Sequence, residues 1–321
     1  MLKLVKTACS LMLLAVLFSP ASYAASDPCM GLFDDVQKNF AASSLSFTAV
    51  AGDQRGMFPY AYTHVFRNGR EYVSWRALNG EVAGYALRDL KGYEFNDDKG
   101  LTQRLTWHQT QVFDRLMAAK TQLEGYQCVF SGRTRLSGRK VSVLRLSPKN
   151  DQRYGFALAL DDDQKLPVEL NLITPQGALV FKITAADIVR NPKDAAFDDE
   201  MFDKFDLLRK APAADEKLDP WGFIRIPPYF TMVSEGSVQT DDGSVSPYQQ
   251  FSDGIFSFRV YINSRTSMYL KEVTAGSLSV YRTQDANREY AVTGDIPMEL
   301  AHSILAEIDG SGRKASGVKA R

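Results

Sequence analysis

The feature that most constrains the fold of this chain is a series of five short apolar segments between residues 126 and 188. Each segment is rich in β-branched and aromatic residues, and clusters of Gly, Asp, Pro and Asn separate it from the next. Apolar and polar residues alternate, as at Val141, Ser142 and Val143, which predicts strands with one apolar and one polar face. The predicted strands are 126–131, 140–146, 154–160, 168–173 and 179–184. Such a β-meander must cover its apolar face with a helix, a second sheet or a bound ligand.

The residues before this meander predict further strands and two helices. Asp27 followed by Pro28 is typical of a helix start, and apolar residues recur at helical spacing to about residue 42. Asn68-Gly69 predicts a type I′ hairpin, and the apolar face of residues 110–124 predicts a helix that covers the sheet. The strands expected here are 46–50, 60–67, 70–75, 83–87 and 92–95. About ten antiparallel strands with few helices predict a curled sheet, whose concave face either encloses an apolar cavity or is filled by its own side chains.

The N-terminus is typical of a secretory signal peptide over residues 1–24. Lys3 and Lys6 precede a short apolar run, and Ser22 and Ala24 occupy the small-residue positions before a predicted cut after Ala24. The apolar run is too short for a bilayer, which requires about 20 apolar residues. A buried N-terminal helix is the alternative, but the pattern favours an exported, soluble mature protein.

The mature length and the loss of apolar periodicity after the meander predict two domains. We expect a large domain at 25–208 and a polar, Pro-containing linker at 209–218 that lets the domains shift. A small sheet is expected at 219–308, with a final helix capped by Asp295. Residues 309–321 are rich in Gly, Ser and basic residues and predict a disordered tail.

Two cysteines remain in the predicted mature chain, Cys29 and Cys128. In an oxidising compartment such a pair favours a disulfide, which here would join the first helix to the first strand of the meander. A redox-sensing role is the alternative, although neither cysteine lies in a CxxC motif.

The order of several segments resembles a known family. These segments are YQCVFSGRTRLSGR from Tyr126, LSPKNDQRYGF from Leu146, WGFIRIPPYFTMVS from Trp221, FSDGIFSFRVY from Phe251 and YAVTGDIP from Tyr290. They resemble the RseB/MucB family, periplasmic negative regulators of the envelope-stress sigma factor of the sigma-E/AlgU type. The resemblance implies a mainly antiparallel β fold: a large curled half-open barrel, similar to lipoprotein-carrying proteins, and a smaller α+β domain.

Catalytic and metal-binding signals are weak. The three histidines, His64, His108 and His302, lack metal-ligand spacing, and the sequence contains no HExxH, GxSxG or P-loop motif. Asp161, Asp162 and Asp163 are consecutive, which favours a solvated turn over a cation site. The formal net charge is +0, so no overall field selects nucleic acid. We therefore expect no enzyme activity, no cofactor and no metal.

A cluster of basic residues interrupts this balance of charge. Seven basic residues lie between Arg133 and Arg153, against the single acid Asp151. The candidates for binding an anionic head group are Arg133, Arg135, Arg139 and Lys140. Such a cluster binds phosphates or acidic peptides, but the solvated face of a hairpin is an equal alternative.

The resemblance implies a regulatory binding protein of the periplasm. Its partner would be the periplasmic segment of a membrane-spanning anti-sigma factor, shielded from site-1 proteolysis and released when lipopolysaccharide or mislocalised lipoprotein binds. A carrier or chaperone of lipids or lipoproteins is the alternative, and a homodimer is possible. The expected partner contacts are aromatic residues of the second domain: Trp221, Tyr229, Phe256, Phe258 and Tyr261.

Overall fold

The computed structural model of the protein describes residues 28–96, 100–118, 123, 125–150, 152–193, 197, 199–206, 221–239, 243–265 and 270–308. The predicted signal peptide, the predicted linker at 209–218 and the predicted tail lie outside the described residues. Among those described, no helix has the length and apolar character needed to span a membrane.

The first part of the chain forms a large antiparallel sheet with three helices. The helices are α1 (Pro28–Ala41), α2 (Val112–Met117) and α3 (Asp199–Asp206). The strands are β1 (Leu45–Asp53), β2 (Gly56–Arg67), β3 (Arg70–Ala77), β4 (Ala83–Arg88), β5 (Lys91–Asn96), β6 (Gly100–Thr106), β7 (Tyr126–Leu136), β8 (Arg139–Pro148), β9 (Gly155–Asp161), β10 (Pro167–Ile173) and β11 (Leu179–Arg190). The helix expected at 110–124 is shorter than predicted, because α2 ends before Ala118.

These eleven strands form one open sheet in the order β6-β5-β4-β3-β2-β1-β11-β10-β9-β8-β7. Each half is a meander, and the pairing of β1 with β11 joins the two halves. Asn68 and Gly69 both have positive φ angles, 52° and 74°, which confirms the predicted hairpin between β2 and β3. The sheet does not close, because β6 and β7 are its two edges, and the predicted mainly antiparallel fold is confirmed.

Helices α1 and α2 cover the concave face of this sheet. Phe40 of α1 and Phe113 of α2 lie 5.7 Å apart in an edge-to-face arrangement, which is a favourable geometry for aromatic rings. Phe113 also packs on Tyr62 and Trp75 of the sheet, at 5.6 and 6.1 Å between ring centroids. The sequence left two alternatives, an apolar cavity or a concave face filled by the protein's own side chains. In the described part of the chain, side chains of the protein largely fill the concave face.

A disulfide between Cys29 and Cys128 joins α1 to β7. The predicted pairing is confirmed. It holds the start of α1 against the first strand of the second meander, and the buried side chains of Phe33 and Val36 continue this contact into the core.

Helix α3 packs on the opposite, convex face. Phe202 contacts Tyr93 at 5.1 Å between ring centroids, and Arg88 pairs with Asp203 at 2.7 Å. Helix α3 (Asp199–Asp206) therefore belongs to the large domain.

The second part of the chain forms a six-stranded antiparallel sheet with one helix. Its elements are β12 (Thr231–Gln239), β13 (Val245–Ser252), β14 (Ser257–Ser264), β15 (Glu272–Ala275), β16 (Leu278–Gln284), β17 (Arg288–Gly294) and α4 (Met298–Ile304), with strand order β12-β13-β14-β17-β16-β15. Leu300 and Ile304 of α4 are fully buried. The prediction that Asp295 caps this helix is wrong, since the cap position is Pro297 and the Asp295 carboxylate accepts hydrogen bonds from Arg115 and Ser277.

Candidate functional site

Two buried arginines of the large domain bind aspartates of the small domain. The Arg115 Nη2 donates to Asp295 Oδ2 at 2.7 Å, and the Arg153 Nη1 donates to Asp253 Oδ2 at 3.1 Å. Each arginine side chain is 2% exposed. Removing one partner of such a pair leaves an uncompensated buried charge, which typically costs about 3–5 kcal/mol.

Aromatic packing extends the same junction between the domains. Phe156 of β9 stacks on Phe256 at 5.6 Å between centroids, with an angle of 9° between ring planes. The Tyr154 hydroxyl donates to the Ser277 carbonyl at 3.2 Å. Buried residues of both sheets form one continuous apolar core. The two domains are therefore docked in this structure, whereas the linker predicted at 209–218 suggested that they shift.

A cavity of about 240 Å³ opens where the concave face meets the small domain. Its apolar wall is formed by Phe58, Tyr60 and Phe181 of the sheet. The polar side includes Arg55 and Asp53, whose side chains form a hydrogen bond of 2.9 Å between Nε and Oδ2. This bond lowers the pKa of Asp53 below its usual value. We call this space the mouth cavity; it is the part of the concave face at this end that side chains leave open.

A buried carboxylate lies behind the mouth cavity. Asp114 Oδ2 accepts hydrogen bonds from Trp75 Nε1 at 2.8 Å and from the Tyr85 hydroxyl at 2.6 Å. Burial raises the pKa of Asp114 to about 6, although these two hydrogen bonds oppose the shift. The apolar pattern of the helix gave no sign of this site, because such a pattern predicts only the positions of apolar residues and makes no prediction for Asp114 or Arg115.

A second opening lies on the convex face and is mainly apolar. It has a volume of about 330 Å³ and is bordered by Val50, Met57, Leu179 and Val180. Met57 and Leu179 are both exposed. Gly52 also lines this opening and has no side chain to fill it. The alternation of apolar and polar residues in β1 gave no sign that the convex face is open at this position.

The predicted head-group residues lie on the hairpin of β7 and β8. Arg135 is opposite Lys140 and Arg133 is opposite Ser142, so these side chains share the face on which Leu144 enters the core, whereas Arg139 projects from the other face. Arg139 binds Asp161 at 2.9 Å and Arg133 lies 3.7 Å from Asp162. Two of the three aspartates thus serve as partners of the hairpin.

The basic hairpin is distant from the mouth cavity. Leu146 of β8 pairs with Phe156, at the end of the sheet that meets the small domain. Lys140 is six residues before Leu146, and a strand rises about 3.3 Å per residue, so Lys140 lies about 20 Å from this end of β8. No residue of β8 lines the mouth cavity. The structure therefore does not bring the basic cluster and the mouth cavity together.

The predicted partner contacts differ in accessibility. Phe256 and Phe258 are each 1% exposed, the former in the domain junction and the latter in the core of the small domain. Their burial leaves no ring surface for a partner in this arrangement. Trp221 and Tyr261 are half-buried, and Tyr229 is 45% exposed. Tyr229, Trp221 and Tyr261 thus remain as predicted partner contacts.

The histidines are involved in structural contacts. Buried His64 lies 2.8 Å from Glu71 Oε1 and 2.7 Å from the Ser43 carbonyl. Burial lowers the pKa of His108. His302 lies 3.1 Å from Glu272. Across the described ranges, no three His, Cys, Asp or Glu side chains are grouped as a metal site requires.

Comparison with known proteins relates both domains to one family. The family model of the MucB/RseB N-terminal domain matches residues 32–204, and that of the MucB/RseB C-terminal domain matches residues 215–309. This chain belongs to the MucB/RseB family. The resemblance seen in the sequence is confirmed over most of its length.

Similar proteins extend over most of the chain. The sigma-E factor regulatory protein RseB of Salmonella typhimurium is 25% identical over 308 residues, which cover 92% of this chain and 94% of RseB. The sigma factor AlgU regulatory protein MucB of Pseudomonas aeruginosa is 25% identical over 196 residues, 57% of this chain and 60% of MucB. Among solved structures, the Pseudomonas aeruginosa MucA/MucB complex has a TM-score of 0.63 at 18% identity, covering 85% of this chain and 96% of that chain. MucB in complex with MucA(peri) has a TM-score of 0.61 at 16% identity, with coverages of 86% and 97%.

Proposed function

We propose that this protein is a regulatory binding protein of the periplasm. It binds the periplasmic segment of a membrane-spanning anti-sigma factor and shields that segment from site-1 proteolysis. It releases the segment when lipopolysaccharide or mislocalised lipoprotein signals envelope damage. It acts by binding, without a catalytic group or a cofactor of its own.

The observation that carries this proposal is the match of both domains to the MucB/RseB family. Relatives over most of this chain are sigma-E factor regulatory proteins, and MucB, which shares the fold, has been solved in complex with MucA. The docked arrangement supports the same proposal, since buried residues of both domains form one continuous core. A partner that spans the junction can contact the two domains at once.

We propose that the ligand is an anionic amphiphile, whose head group binds basic side chains and whose acyl chains contact apolar side chains. Arg135 and Lys140 face each other across β7 and β8, and both are exposed, so they are accessible to phosphate groups. Phe58 and Phe181 offer acyl chains an apolar patch in the mouth cavity, whose lining is otherwise mainly polar. Lys140 lies about 20 Å along β8 from the end of that strand that meets the small domain, and no residue of β8 lines the mouth cavity. One ligand must therefore be longer than about 20 Å to reach both places.

The carrier alternative is supported by a different observation. The apolar opening on the convex face is large enough, at about 330 Å³, to count among ligand pockets, which are usually about 300–1,000 Å³. However, α1 and α2 occupy the described concave face, so little space is left there for cargo. Mass spectrometry of lipids that copurify from envelope extract distinguishes the carrier, which should retain stoichiometric lipid, from the regulator.

The proposed partner is tested by titration of the purified mature protein with the periplasmic segment of the anti-sigma factor from the same cell. We expect saturable binding of one segment per chain by isothermal titration calorimetry. The segment with its apolar residues changed to serine is the control and should not bind. Absence of heat and of co-elution with a folded protein would overturn the proposal.

A further inference from the structure

Tyr229 lies at the domain junction in an unfavourable backbone conformation. Its φ angle is 72°, in the left-handed region that side chains with a Cβ rarely adopt. It follows Pro227 and Pro228 and precedes β12. Although its ring packs against the large domain, the residue remains 45% exposed. Unfavourable conformations that persist in a fold often occur at sites of function.

The guanidinium of Arg153 lies between two tyrosine rings. Its Cζ is 4.5 Å from the ring centroid of Tyr126 and 4.5 Å from that of Tyr229. Its Nη2 donates to the Gly125 carbonyl at 2.8 Å, and its Nη1 donates to Asp253. One side chain of the large domain therefore fixes both the aspartate and the exposed tyrosine of the small domain.

Gly125 provides the space for this arrangement. Its φ angle is 79°, and a Cβ at this position would lie 2.4 Å from Arg153 Nη2 and 2.6 Å from Tyr229 Cζ. Any side chain here would displace the tyrosine ring, the guanidinium or both. The large domain thus contributes a glycine, an arginine and Tyr126 to the position of one ring in the small domain.

Three apolar residues near Tyr229 in the sequence are also exposed. Ile226, Met232 and Val233 have large exposed side chains within the same short segment. Exposed apolar groups that lie close together are typical of interaction surfaces, and tyrosines are frequent among the residues that dominate binding energy. Because these three side chains are exposed, they are not part of the buried core of the small domain.

We propose that Arg153 is a positioning residue, which holds the exposed Tyr229 ring as a contact for the anti-sigma factor segment and makes this contact depend on domain docking. The inference rests on the proposed function, because the partner is the same segment. The segment would place apolar side chains against Tyr229 and its exposed neighbours. Tyr229 is the contact, and Arg153 acts through it.

The experiment is a double-mutant cycle in the full mature protein, with Kd for the periplasmic segment measured by calorimetry. Tyr229→Ala should raise Kd about tenfold or more, as expected for a dominant contact, whereas Tyr229→Phe keeps the ring and should stay within about twofold of wild type. Arg153→Lys keeps the charge beside Asp253 but loses the planar group between the rings. It should raise Kd about fivefold alone and have no further effect when combined with Tyr229→Ala. Phe66→Ala is the control, because Phe66 is similarly exposed, at 51%, and lies away from the junction.

Several outcomes would overturn the inference. An unchanged Kd for Tyr229→Ala would show that the ring does not contact the segment. If Arg153→Lys raised Kd by the same factor in the wild type and in Tyr229→Ala, Arg153 would have only a structural role. Loss of a concentration-dependent dimer in Tyr229→Ala, with segment binding intact, would assign the ring to self-association instead. If Arg153→Lys does not fold, the comparison of Tyr229→Ala with Tyr229→Phe still decides the contact. Failure of the wild type to bind the segment would overturn the proposed function rather than this inference.

Discussion

At the scale of single residues, the carboxylate of Asp114 determines part of the response to pH. Burial raises its pKa in the folded protein to about 6, above the ordinary value of 3.8. Between about pH 4 and pH 6, the folded protein therefore retains a proton that the unfolded chain has lost. The preferential binding of this proton to the folded state raises the free energy of unfolding. This added stability is complete below pH 4 and is lost as the pH rises through 6.

Asp114→Asn should abolish this dependence, because an amide does not titrate. Relative to the variant, the wild type should lose about 3 kcal/mol of unfolding free energy between pH 4 and pH 7, since one pKa unit corresponds to about 1.4 kcal/mol. Urea denaturation at several pH values measures the difference. Asp35→Asn, at an exposed position of α1, is the matched control and should show no such trend. If the difference in unfolding free energy between the wild type and Asp114→Asn did not change with pH, the assignment of the titration to Asp114 would be wrong.

Residues of this kind were hidden from sequence analysis for a physical reason. Helical periodicity identifies apolar faces, so it placed Val112 and Phe113 in the core correctly but gave no prediction for Asp114 and Arg115. Their burial depends on partners that are distant in sequence, namely Trp75 for the first and Asp295 for the second. A pattern within one helix contains no information about either partner.

At the scale of elements, the strands were largely predictable and the exceptions are instructive. All five predicted strands of the meander are present, because alternation is strong where one face is buried. The sequence pattern did not predict β6 (Gly100–Thr106) or β15 (Glu272–Ala275), both of which are edge strands with few large apolar residues. An edge strand is held by backbone hydrogen bonds on one side only, so its sequence has less need to alternate.

The disulfide between α1 and β7 should contribute substantially to stability. It closes a loop of 99 residues in sequence separation, for which the chain-entropy account gives up to about 4.7 kcal/mol. We expect Cys29→Ser/Cys128→Ser to lower the unfolding free energy by about 2–4 kcal/mol in urea. Reduced wild type, as the control, should match the variant. Equal stability of the oxidised and reduced forms would contradict a structural role, and a change in segment affinity without a change in stability would favour the redox-sensing alternative.

The hairpin of β7 and β8 should control the response to anionic lipid. Arg133→Glu/Arg135→Glu should raise the lipopolysaccharide concentration needed to release the segment by about tenfold, because charge-assisted contacts contribute about 1.5–3 kcal/mol. Release by a neutral acyl ligand should change much less. Lys38→Glu/Lys91→Glu, at exposed sites on α1 and β5, controls for net charge. Identical release curves with unchanged segment affinity would leave the hairpin as a solvated face.

At the scale of the whole molecule, the two domains should behave as one body. A protease site inserted in the predicted linker at 209–218 allows the chain to be cut after folding. We expect the two halves to co-elute in size-exclusion chromatography, since the junction buries the Arg115 and Arg153 pairs and the Phe156–Phe256 stack. Phe256→Asp is the comparison variant and should separate after cleavage. Separation of the cut wild-type halves would instead support domains that shift freely, as the linker alone predicts.

If this protein shields the anti-sigma factor segment as proposed, it must slow cleavage of that segment by the site-1 protease, and the cleavage rate is the decisive measurement. The rate is measured with and without a saturating amount of the mature protein, and again after addition of lipopolysaccharide. We predict that the protein lowers the rate at least about tenfold, as expected when more than 90% of the segment is bound, and that lipopolysaccharide restores it. Equal cleavage rates in the presence of folded protein that binds the segment would contradict the account.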